Sequence, residues 1–462
     1  MNKRKIMLAI CSMFLLTYTL DIKAGQILQQ KVISNQVNDW DMHWTKIIFD
    51  NNDNVLITMK GFFYTVDNLR STRNLSEYCC DVLGGYIKDD QFYIILNDIH
   101  KIDVYKIQKQ VELESYIKPK ISEYHDYDGI VLIPGENDFY YLFGHYNLLT
   151  SKPIDNLKMM ISAGSVTFKK PFLAKIQNNK IVHCIKLDYG GKRDESYIVQ
   201  EAVAGKDSIH LFGFRNIDVP FIGDGVREPI RLIDSGTNGY ALKMHQFKRG
   251  DYYQDRNITR SITLYYTDYN LKKMKNMRNS LIYENTPGFN HDTDIYSDYG
   301  VLSADTKDDC VYAVFNWVEQ KHFKQGGKFR QAFDINNVNS SIYYWRCGDK
   351  PYGKAEKIAE GFCPLLRVDQ FGSVHVFWID RSGNVVHKIQ KGSNWGNDEI
   401  ILKGINSKPI ICTKFSYSVL DRDRPEAILY TKFLAAEFDK ENILHAVYPT
   451  SEGIVYTKLK LE

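Results

Sequence analysis

Hydrophobic and polar positions alternate along this chain in one recurring arrangement. A polar turn containing Asp, Asn or Gly is followed by a run of β-branched and aromatic residues, as in "DNNDNVLITM", "KDDQFYIIL", "GENDFYYLF", "QFGSVHVFW" and "KENILHAVY". A second short apolar run precedes most of these turns, for example "PLLRVD" and "FLAAEFD". Two such runs joined by a turn predict an antiparallel β-hairpin, and the runs that follow predict one or two outer strands for each hairpin.

The repetition of this hairpin unit determines the predicted architecture. The units recur at intervals of about 30 to 70 residues, and no segment shows the periodicity of an amphipathic helix. A sheet of three or four strands cannot close a core alone, whereas sheets arranged around an axis bury one another's faces. We therefore predict an all-β chain that forms a β-propeller of seven blades, with six or eight blades left open. A pair of β-sandwiches or a β-helix fits less well, because the hairpin turns are too many for one and too irregular for the other.

The beginning of the chain indicates where the propeller starts and how its ring closes. Residues 1–24 combine a basic start, "MNKRK", with the apolar run "IMLAICSMFLLTYTL", which is typical of a secretory signal peptide cleaved after Ala24. Residues 25–462 then form a single β-propeller domain, and the protein is expected to be secreted or periplasmic. Residues 25–34, "GQILQQKVIS", are predicted to supply the outer strand of the last blade and so to close the ring.

The charge balance excludes one class of partner. The chain has 59 Lys and Arg against 56 Asp and Glu, but the signal peptide carries Lys3, Arg4, Lys5 and Lys23 against Asp21, so the remainder has equal numbers of each. Nucleic-acid-binding proteins usually carry a basic surface, and so no nucleic-acid partner is expected. No segment after residue 24 has an apolar run long enough to span a bilayer.

The cysteines point to packing rather than to chemistry. Their spacing contains no C-x-x-C and no His/Cys pattern of a zinc site, so we expect small buried residues with one or two disulfides. No cofactor is expected, and a structural metal ion and the oligomeric state are left open. The cysteines after the signal peptide are Cys79, Cys80, Cys184, Cys310, Cys347, Cys363 and Cys412.

Two histidines flank one predicted hairpin at equal distances from its turn. In "HDYDGIVLIPGENDFYYLFGHYN", His125 and His145 lie ten residues either side of Gly135. Residues equidistant from the turn of an antiparallel hairpin face each other, so this spacing predicts a histidine pair at the open end of the hairpin. If the hairpin is the inner one of a blade, that end belongs to one rim of the propeller, where ligands are expected to bind.

The same folding rule brings other polar and aromatic residues to this rim. Cations there suit the carboxylates or sulfates of an anionic glycan, and aromatic rings suit the faces of its sugars. The predicted positions are Lys186 near the rim, Phe214 and Arg215 opposite Ser196 and Tyr197, His245 opposite Glu228 beside Arg227, Asn316 and Trp317 near Tyr296 and Ser297, and Trp378 and Asp380 near Gly361 and Phe362.

A second group of histidines has a structural interpretation. His183, His210, His375 and His445 each follow a turn at the position where other repeats have tyrosine. We predict that they are partly buried packing residues whose ring nitrogens bind a local partner.

The histidine hairpin resembles a blade of the BNR-repeat, sialidase-superfamily propellers of the ulvan lyase-like kind. "EGFCPLLRVDQFGSVHVFWIDRSGNVVHKIQKGSNW" and "EAVAGKDSIHLFGF" are similar to generic blades of that group. The resemblance implies that His125 and His145 match a catalytic histidine pair. It departs where those lyases have tyrosine and arginine, because this chain has Phe168 and Lys186 instead. The sialidase Asp-box is missing as well, which disfavours sialidase hydrolysis.

Two functions follow as hypotheses, and the expected partner is a polysaccharide or other glycan of anionic character, with a protein partner left open in the second. In the first, the protein is a polysaccharide lyase acting on a uronate-containing glycan by β-elimination. His125 or His145 would be the base, and the other histidine, Tyr146 or Tyr197 the acid. The cation beside the substrate carboxylate would be Lys186, Arg215 or Arg227. In the second, the propeller binds a glycan or a protein without catalysis, with Tyr197, Arg215, Arg227, His245 and Trp317 as binding residues.

Overall fold

The structure is a computed structural model that describes the following parts of the chain: 25–34, 45–49, 55–59, 62–65, 81–88, 91–98, 101–107, 111–117, 127–134, 139–150, 166–177, 180–186, 195–205, 208–217, 230–233, 240–243, 261–270, 275–285, 288–290, 295–307, 310–321, 323–325, 328–330, 338–347, 355–405, 416–418, 422–424 and 432–461. These residues form strands, turns and bends, with no helix among them. Accordingly, no helix that could cross a membrane occurs in the described residues. The predicted signal peptide, residues 1–24, lies outside them.

The first half of the chain forms one strand that belongs to the last sheet, then three sheets, and then a fourth sheet with a small hairpin inserted between its strands. The bounds are β1 (Gln26–Ser34), then β2 (Lys46–Phe49), β3 (Val55–Met59) and β4 (Phe62–Thr65), then β5 (Asp81–Lys88), β6 (Gln91–Asp98), β7 (Lys101–Ile107) and β8 (Val111–Ile117), then β9 (Tyr127–Pro134), β10 (Phe139–Thr150), β11 (Val166–Gln177) and β12 (Lys180–Lys186), then β13 (Glu195–Ala204), β14 (Ser208–Ile217), the hairpin β15 (Ile230–Ile233) and β16 (Tyr240–Lys243), β17 (Ser261–Asn270) and β18 (Lys275–Asn285).

The second half forms three further sheets and two small hairpins. The bounds are β19 (Gly288–Asn290), β20 (Ile295–Lys307), β21 (Cys310–Lys321), the hairpin β22 (Phe323–Gln325) and β23 (Lys328–Arg330), β24 (Val338–Cys347) and β25 (Glu356–Glu360), then β26 (Phe362–Val368), β27 (Val374–Ile379), β28 (Val385–Lys391), β29 (Asn394–Trp395) and β30 (Glu399–Leu402), then the hairpin β31 (Ser416–Ser418) and β32 (Arg422–Arg424), and finally β33 (Ala435–Phe438), β34 (Leu444–Thr450) and β35 (Gly453–Lys460).

Seven of the described sheets have three to five antiparallel strands. In each of them a hairpin joins the inner strand to the next strand of the sheet. We call β2, β5, β9, β13, β20, β26 and β33 the inner strands. In this order each inner strand contacts the next, and β33 contacts β2, so the contacts form a closed cycle. A closed cycle of small sheets is a β-propeller, which confirms the predicted fold. The seven described sheets equal the predicted number of blades, but the blade count stays a prediction.

The two ends of the described chain meet in one sheet. β1 pairs antiparallel with β35, from Gln26 opposite Lys460 to Ser34 opposite Ile454. The sheet order is β1-β35-β34-β33, so a strand from the beginning of the chain completes the sheet that contains its end. The side-chain amide of Gln30 also donates a hydrogen bond to the hydroxyl of Tyr448, at 3.1 Å.

The hydrophobic core lies between neighbouring sheets. Phe212 of β14 packs with Phe315 and Trp345 of the following sheet, and all three are buried. At the closure, Ile33 of β1 packs in a cluster with Val55 of β3 and with residues of the last sheet. Each such side chain contributes about 1.5–3 kcal/mol when it is removed from water, so the ring is held by contacts that each blade makes with its neighbours.

Candidate functional site

The histidine hairpin forms the inner hairpin of its sheet, as its predicted role requires, but its register differs from the predicted one. His145 is paired with Asp128 and Tyr146 with Tyr127, so His125 is not the cross-strand partner of His145. β9 continues through Pro134 and β10 begins at Phe139, which moves the midpoint of the hairpin beyond Gly135. A register irregularity between Phe143 and Gly144 shifts the pairing again. The predicted histidine pairing was therefore wrong, and His125 itself lies outside the described residues.

Other predicted rim residues are placed by their backbones. Lys186 ends β12 and is paired with Phe172, which is itself paired with Gly144, the residue before His145. Tyr197 pairs directly with Arg215, one residue from the predicted register. Arg227 and His245 lie outside the described residues. The site roles proposed for these residues stay predictions, as do those of His125, His145 and Tyr146.

The rim positions predicted in the later blades differ in accuracy. Trp317 is paired with Tyr299 rather than with Tyr296, because the register shifts between Tyr299 and Leu302. The side chain of Trp317 is buried in the core, with only 5% of it exposed, and its indole nitrogen donates a hydrogen bond to Glu319 at 3.3 Å. The ring therefore has no open face for a sugar. Trp378 does lie beside Gly361, as predicted, since a Cβ on Gly361 would approach its ring to 2.2 Å.

Three of the predicted packing histidines are buried and bound to local partners, which confirms that interpretation for them. His210 binds the hydroxyl of Ser208 at 2.9 Å. His375 lies between Asp369, at 3.3 Å, and His387, at 2.9 Å. His183 is the exception: it is exposed, because β12 is the outermost strand of its sheet.

The third buried histidine repeats the arrangement of His375 in the neighbouring sheet. His445 lies between the carboxylate of Asp439, at 2.9 Å, and the hydroxyl of Tyr456, at 2.7 Å. In both sheets the chain of hydrogen bonds joins a hairpin turn to the second and third strands. Because both ring nitrogens of His375 and of His445 are engaged and these two histidines and His387 are all buried, we assign the chains to the architecture rather than to catalysis.

We expect acid to destabilise the fold through His387. Burial, reinforced by His375, lowers the pKa of His387 from 6.5 to about 3. The folded protein then excludes a proton that the unfolded chain binds below pH 6.5, so stability is lost as the pH falls from there toward the folded value. The expected loss at pH 5 is about 2 kcal/mol, measured by urea unfolding at pH 7.5 and 5.

The matched variants for this prediction are His387→Gln and His183→Gln. Glutamine at 387 is neutral and can still donate to His375, so the pH dependence should shrink by about the same 2 kcal/mol. His183→Gln makes the same replacement at an exposed histidine and controls for the substitution itself. An undiminished pH dependence in His387→Gln would show that other groups control acid sensitivity.

A cluster of charged side chains, which we call the channel cluster, joins the inner strands of five sheets. Its basic members are Lys46 on β2, Arg367 on β26 and Lys432 just before β33, and its acidic members are Glu201 on β13, Asp305 on β20 and Glu437 on β33. Glu201, Asp305, Arg367 and Glu437 lie close to the ends of their strands, next to the hairpin turns. The predicted rim is at the opposite ends, so sequence reasoning missed this cluster.

Lys432 and Glu201 form an ion pair across the centre of the ring. Their charged atoms are 2.9 Å apart, and the side chains are 14% and 15% exposed. The sheets of β13 and β33 are not neighbours, since β20 and β26 lie between them on one side and β2, β5 and β9 on the other. The pair therefore bridges the space enclosed by the inner strands, which we call the central channel.

Burial and mutual attraction set the protonation of the cluster. Burial lowers the pKa of Lys46, against the opposing attraction of Glu201. Burial alone would raise the pKa of Glu201, but the neighbouring cations hold it below its ordinary value. Burial raises the pKa of Asp305 to about 6, and the charge of Glu437 adds to the rise. Burial alone would lower the pKa of Arg367, but Glu437 and Asp305 raise it.

Asp305 also fixes the spacing of two inner strands. Its carboxylate accepts hydrogen bonds from the backbone N–H of Thr306 and from that of Val368 on β26, both at 2.8 Å. The hydroxyl of Ser303 similarly accepts from the backbone N–H of Leu366, at 3.2 Å. The two strands thus run side by side in the same direction, and Arg367 lies between these two anchor points.

The Arg367–Glu437 ion pair of the cluster is more open to solvent than the Lys432–Glu201 pair. Nε of Arg367 donates to Glu437 at 3.0 Å and to the carbonyl of Ala436 at 2.6 Å, and Nη1 donates to the carbonyl of Leu366 at 2.6 Å. The side chains are 22% and 39% exposed. Nη2 of Arg367 donates to none of the described residues. A fixed guanidinium edge and a partly open carboxylate are therefore available to a ligand at this end of the channel.

The described part of the chain contains neither a candidate metal site nor a disulfide. No group of three or more His, Cys, Asp or Glu side chains there is arranged to hold a metal ion. Cys310 and Cys347 are unbridged thiols, and Cys310 accepts a hydrogen bond from Arg346 at 3.7 Å. Cys79, Cys80 and Cys412 lie outside the described residues, so the expectation of one or two disulfides stays a prediction.

Comparison with known sequence families finds no match, and comparison with curated proteins finds none. Solved structures with a related arrangement include an α-L-arabinofuranosidase of Fusarium graminearum, 10% identical over 82% of this chain and 93% of the other, with a TM-score of 0.40. They also include an α-L-arabinanase of Penicillium chrysogenum, 10% identical over 94% and 98%, with a TM-score of 0.37. A protein of unknown function from Dyadobacter fermentans is 8% identical over 96% and 100%, with a TM-score of 0.41. The fold assignment rests on the strand pairing described above, and the resemblance to ulvan lyase-like propellers gains no support from these comparisons.

Proposed function

We propose that this protein is a carbohydrate-binding β-propeller that takes an anionic glycan at the end of the central channel where Arg367 and Glu437 reach solvent. The observation that carries the proposal is the channel cluster, with its one open ion pair. Well-packed apolar residues would stabilise a ring of sheets as well as buried ion pairs do, so buried charges are weak stabilisers. Clusters of perturbed charges in a concave site are more typical of binding and catalysis.

The chemistry of the cluster favours a sugar acid over a more highly charged ligand. Nε and Nη1 of Arg367 already donate within the protein, and Nη2 can donate a charge-assisted hydrogen bond to a carboxylate. The carboxylates of Glu437 and Asp305 would repel a polyphosphate, but they can accept hydrogen bonds from sugar hydroxyls. A uronate residue presents one carboxylate and several hydroxyls and so matches this mixture of one donor edge and nearby acceptors.

The register of the histidine hairpin fits a function in binding better than it fits a lyase that acts by elimination. The lyase hypothesis placed a histidine pair face to face, with one ring as base and the other as acid. His145 is instead paired with Asp128. Asp128 is three residues from His125, the predicted partner, which corresponds to about 10 Å along a strand. We therefore propose the binding function first and retain the lyase as an outcome of the test.

The site of action follows from the beginning of the chain. The basic start and apolar run of residues 1–24 support secretion or export to a periplasm. A mature protein isolated from outside the cytoplasm with Gly25 at its N-terminus would agree with this proposal, and an uncleaved cytoplasmic chain would oppose it.

Calorimetric titration tests the proposed ligand class. The wild-type protein should bind oligogalacturonate more tightly than a neutral arabino-oligosaccharide. Arg367→Gln should weaken uronate binding by about 10- to 100-fold, since a charge-assisted hydrogen bond is lost. Glu437→Gln keeps an acceptor but removes a competing charge, so it should bind the uronate more tightly than the wild type. A purely structural role for this ion pair would not produce opposite effects in the two variants.

Two controls accompany this titration. Arg381→Gln alters an exposed arginine on an outer turn and should leave affinity unchanged, and thermal melts verify that each variant is folded. Ultraviolet absorbance of the same mixtures detects an unsaturated product. A rise with the wild type that is lost in His145→Ala would favour the lyase, and equal affinities for all variants would refute the proposed site.

A further inference from the structure

Three hairpin turns of the last two described sheets share one hydrogen-bonding scheme. In each, the backbone N–H of the opening aspartate donates to the carbonyl four residues later, at 3.0 Å. The carboxylate of the same aspartate accepts the backbone N–H groups inside the turn, at 2.7–2.9 Å. The turns are 369–373, 380–384 and 439–443. Their shape is therefore set by the aspartate, by the backbone hydrogen bonds and by the left-handed fourth residue, which is Gly372, Gly383 or Asn442.

The tip of this turn makes no demand on the side chain that occupies it. The third position is Ser382 in one turn and Glu441 in another, both exposed and polar. In the remaining turn it is Phe371, which is 83% exposed and the most exposed of the large hydrophobic residues described. Since serine and glutamate serve the same turn, the phenyl ring adds nothing to its geometry while it exposes apolar surface to water.

The Phe371 turn is held rigidly beside the open end of the channel. It directly follows β26, four residues after Arg367. The side-chain amide of Gln370 donates to the carbonyl of Asp439 at 2.8 Å, and the backbone N–H of Gln370 donates to Asn442 at 3.3 Å. These bonds tie it to the turn that begins two residues after Glu437. The ring thus stands on the side of the propeller where the Arg367–Glu437 pair reaches solvent.

We infer that Phe371 is a stacking platform for a sugar ring of the glycan whose acid group binds Arg367. This inference rests on the proposed function and adds a second subsite to it. An aromatic ring held on a rigid loop offers the apolar face of a pyranose a flat contact at little entropic cost. Glu441, at the same position of the adjoining turn, is also exposed and offers a hydrogen-bond acceptor for hydroxyls.

Substitution of Phe371 tests the platform without disturbing the fold, because the turn accepts other residues at its tip. Phe371→Ala should weaken binding of hexagalacturonate by about 3- to 10-fold, and Phe371→Trp should restore it. Phe371→Trp should also show a blue-shifted emission on ligand addition that the wild type lacks, as water leaves the new indole. Ile400→Ala, a change at another exposed hydrophobic residue, is the matched control and should have no effect.

The outcomes separate this inference from the function on which it rests. If Arg367→Gln loses hexagalacturonate binding while Phe371→Ala retains full affinity, the stacking platform is refuted and the proposed function stands. If the wild type binds none of hexagalacturonate, alginate hexamer or heparosan hexamer, both are refuted. The platform would be established if Phe371→Ala binds hexagalacturonate more weakly, Phe371→Trp binds it with restored affinity, and the fluorescence emission of Phe371→Trp shifts on binding.

Discussion

Replacing Glu201 by alanine is expected to destabilise the fold by about 3–5 kcal/mol, the largest effect of any single substitution considered for this molecule. The change removes the carboxylate that faces Lys432 at 2.9 Å and that also offsets the charge of Lys46. Both lysines are mostly buried, so their charges would be left in the channel with less compensation. Urea unfolding followed by circular dichroism measures the loss.

Two further variants separate charge compensation from packing. In Glu201→Gln combined with Lys432→Met, both charges are removed and the volume is nearly kept, so the loss should be smaller than in Glu201→Ala alone. Lys357→Ala breaks the Lys357–Glu360 pair, whose side chains are 46% and 75% exposed, and should change stability by less than about 0.5 kcal/mol. Equal losses in the Glu201 and Lys357 variants would mean that no ion pair spans the channel.

Removing β1 is expected to open the ring of sheets. A chain that begins at residue 35 loses the backbone pairing with β35 and the buried side chain of Ile33. Seven cross-strand residue pairs and one buried isoleucine correspond to about 5 kcal/mol or more. The truncated protein should melt at a lower temperature and with a broader transition than a chain that begins at Gly25.

Complementation provides the control for this truncation. A synthetic peptide of residues 25–34 supplies the missing strand in trans and should raise the melting temperature of the truncated chain. A peptide of the same composition in scrambled order should not, because isoleucine no longer occupies the one buried position of the strand. Identical melting of the two chain lengths would show that β1 contributes nothing to closure.

The fold was predictable because its signal is local and repeated. A turn with aspartate, asparagine or glycine between two apolar runs specifies a hairpin, and each hairpin of the last two described sheets shows it clearly in "LLRVDQFGSVHVFW" and "AAEFDKENILHAVY". Repetition of such hairpins leaves few ways to bury their faces other than a ring. The burial of His210, His375 and His445 was predictable for the same reason, since they occupy one position of the repeat, but His183 at that position is exposed and the buried His387 was not predicted.

The register at the histidine hairpin was not predictable to single residues. The sequence shows a turn near "PGEN", but it does not show that β9 extends through Pro134 or that the pairing slips between Phe143 and Gly144. The later turn changes the partner of every following residue, the slip moves the pairing one residue back, and the net result pairs His145 with Asp128 rather than with His125. Turn position and bulges depend on how the strand fits its neighbours, which no single hairpin sequence contains.

The channel cluster was missed because its members are distant in sequence and meet across the ring. One local signal was available. Arg367 and Glu437 each stand two residues before the aspartate that opens a turn, inside runs that are otherwise apolar. When the two repeats are aligned, both have a charged residue at the same inner-strand position. Charged residues at this position in two neighbouring blades indicate a shared polar centre.

The central claim is that the open end of the channel cluster binds the acid group of a glycan. An experimental structure of the protein with bound hexagalacturonate tests it most directly. We predict a carboxylate of the sugar within about 3 Å of the guanidinium of Arg367, with a neighbouring ring against Phe371. A hexagalacturonate bound instead at the opposite rim, near His145 and Tyr197, would contradict the claim.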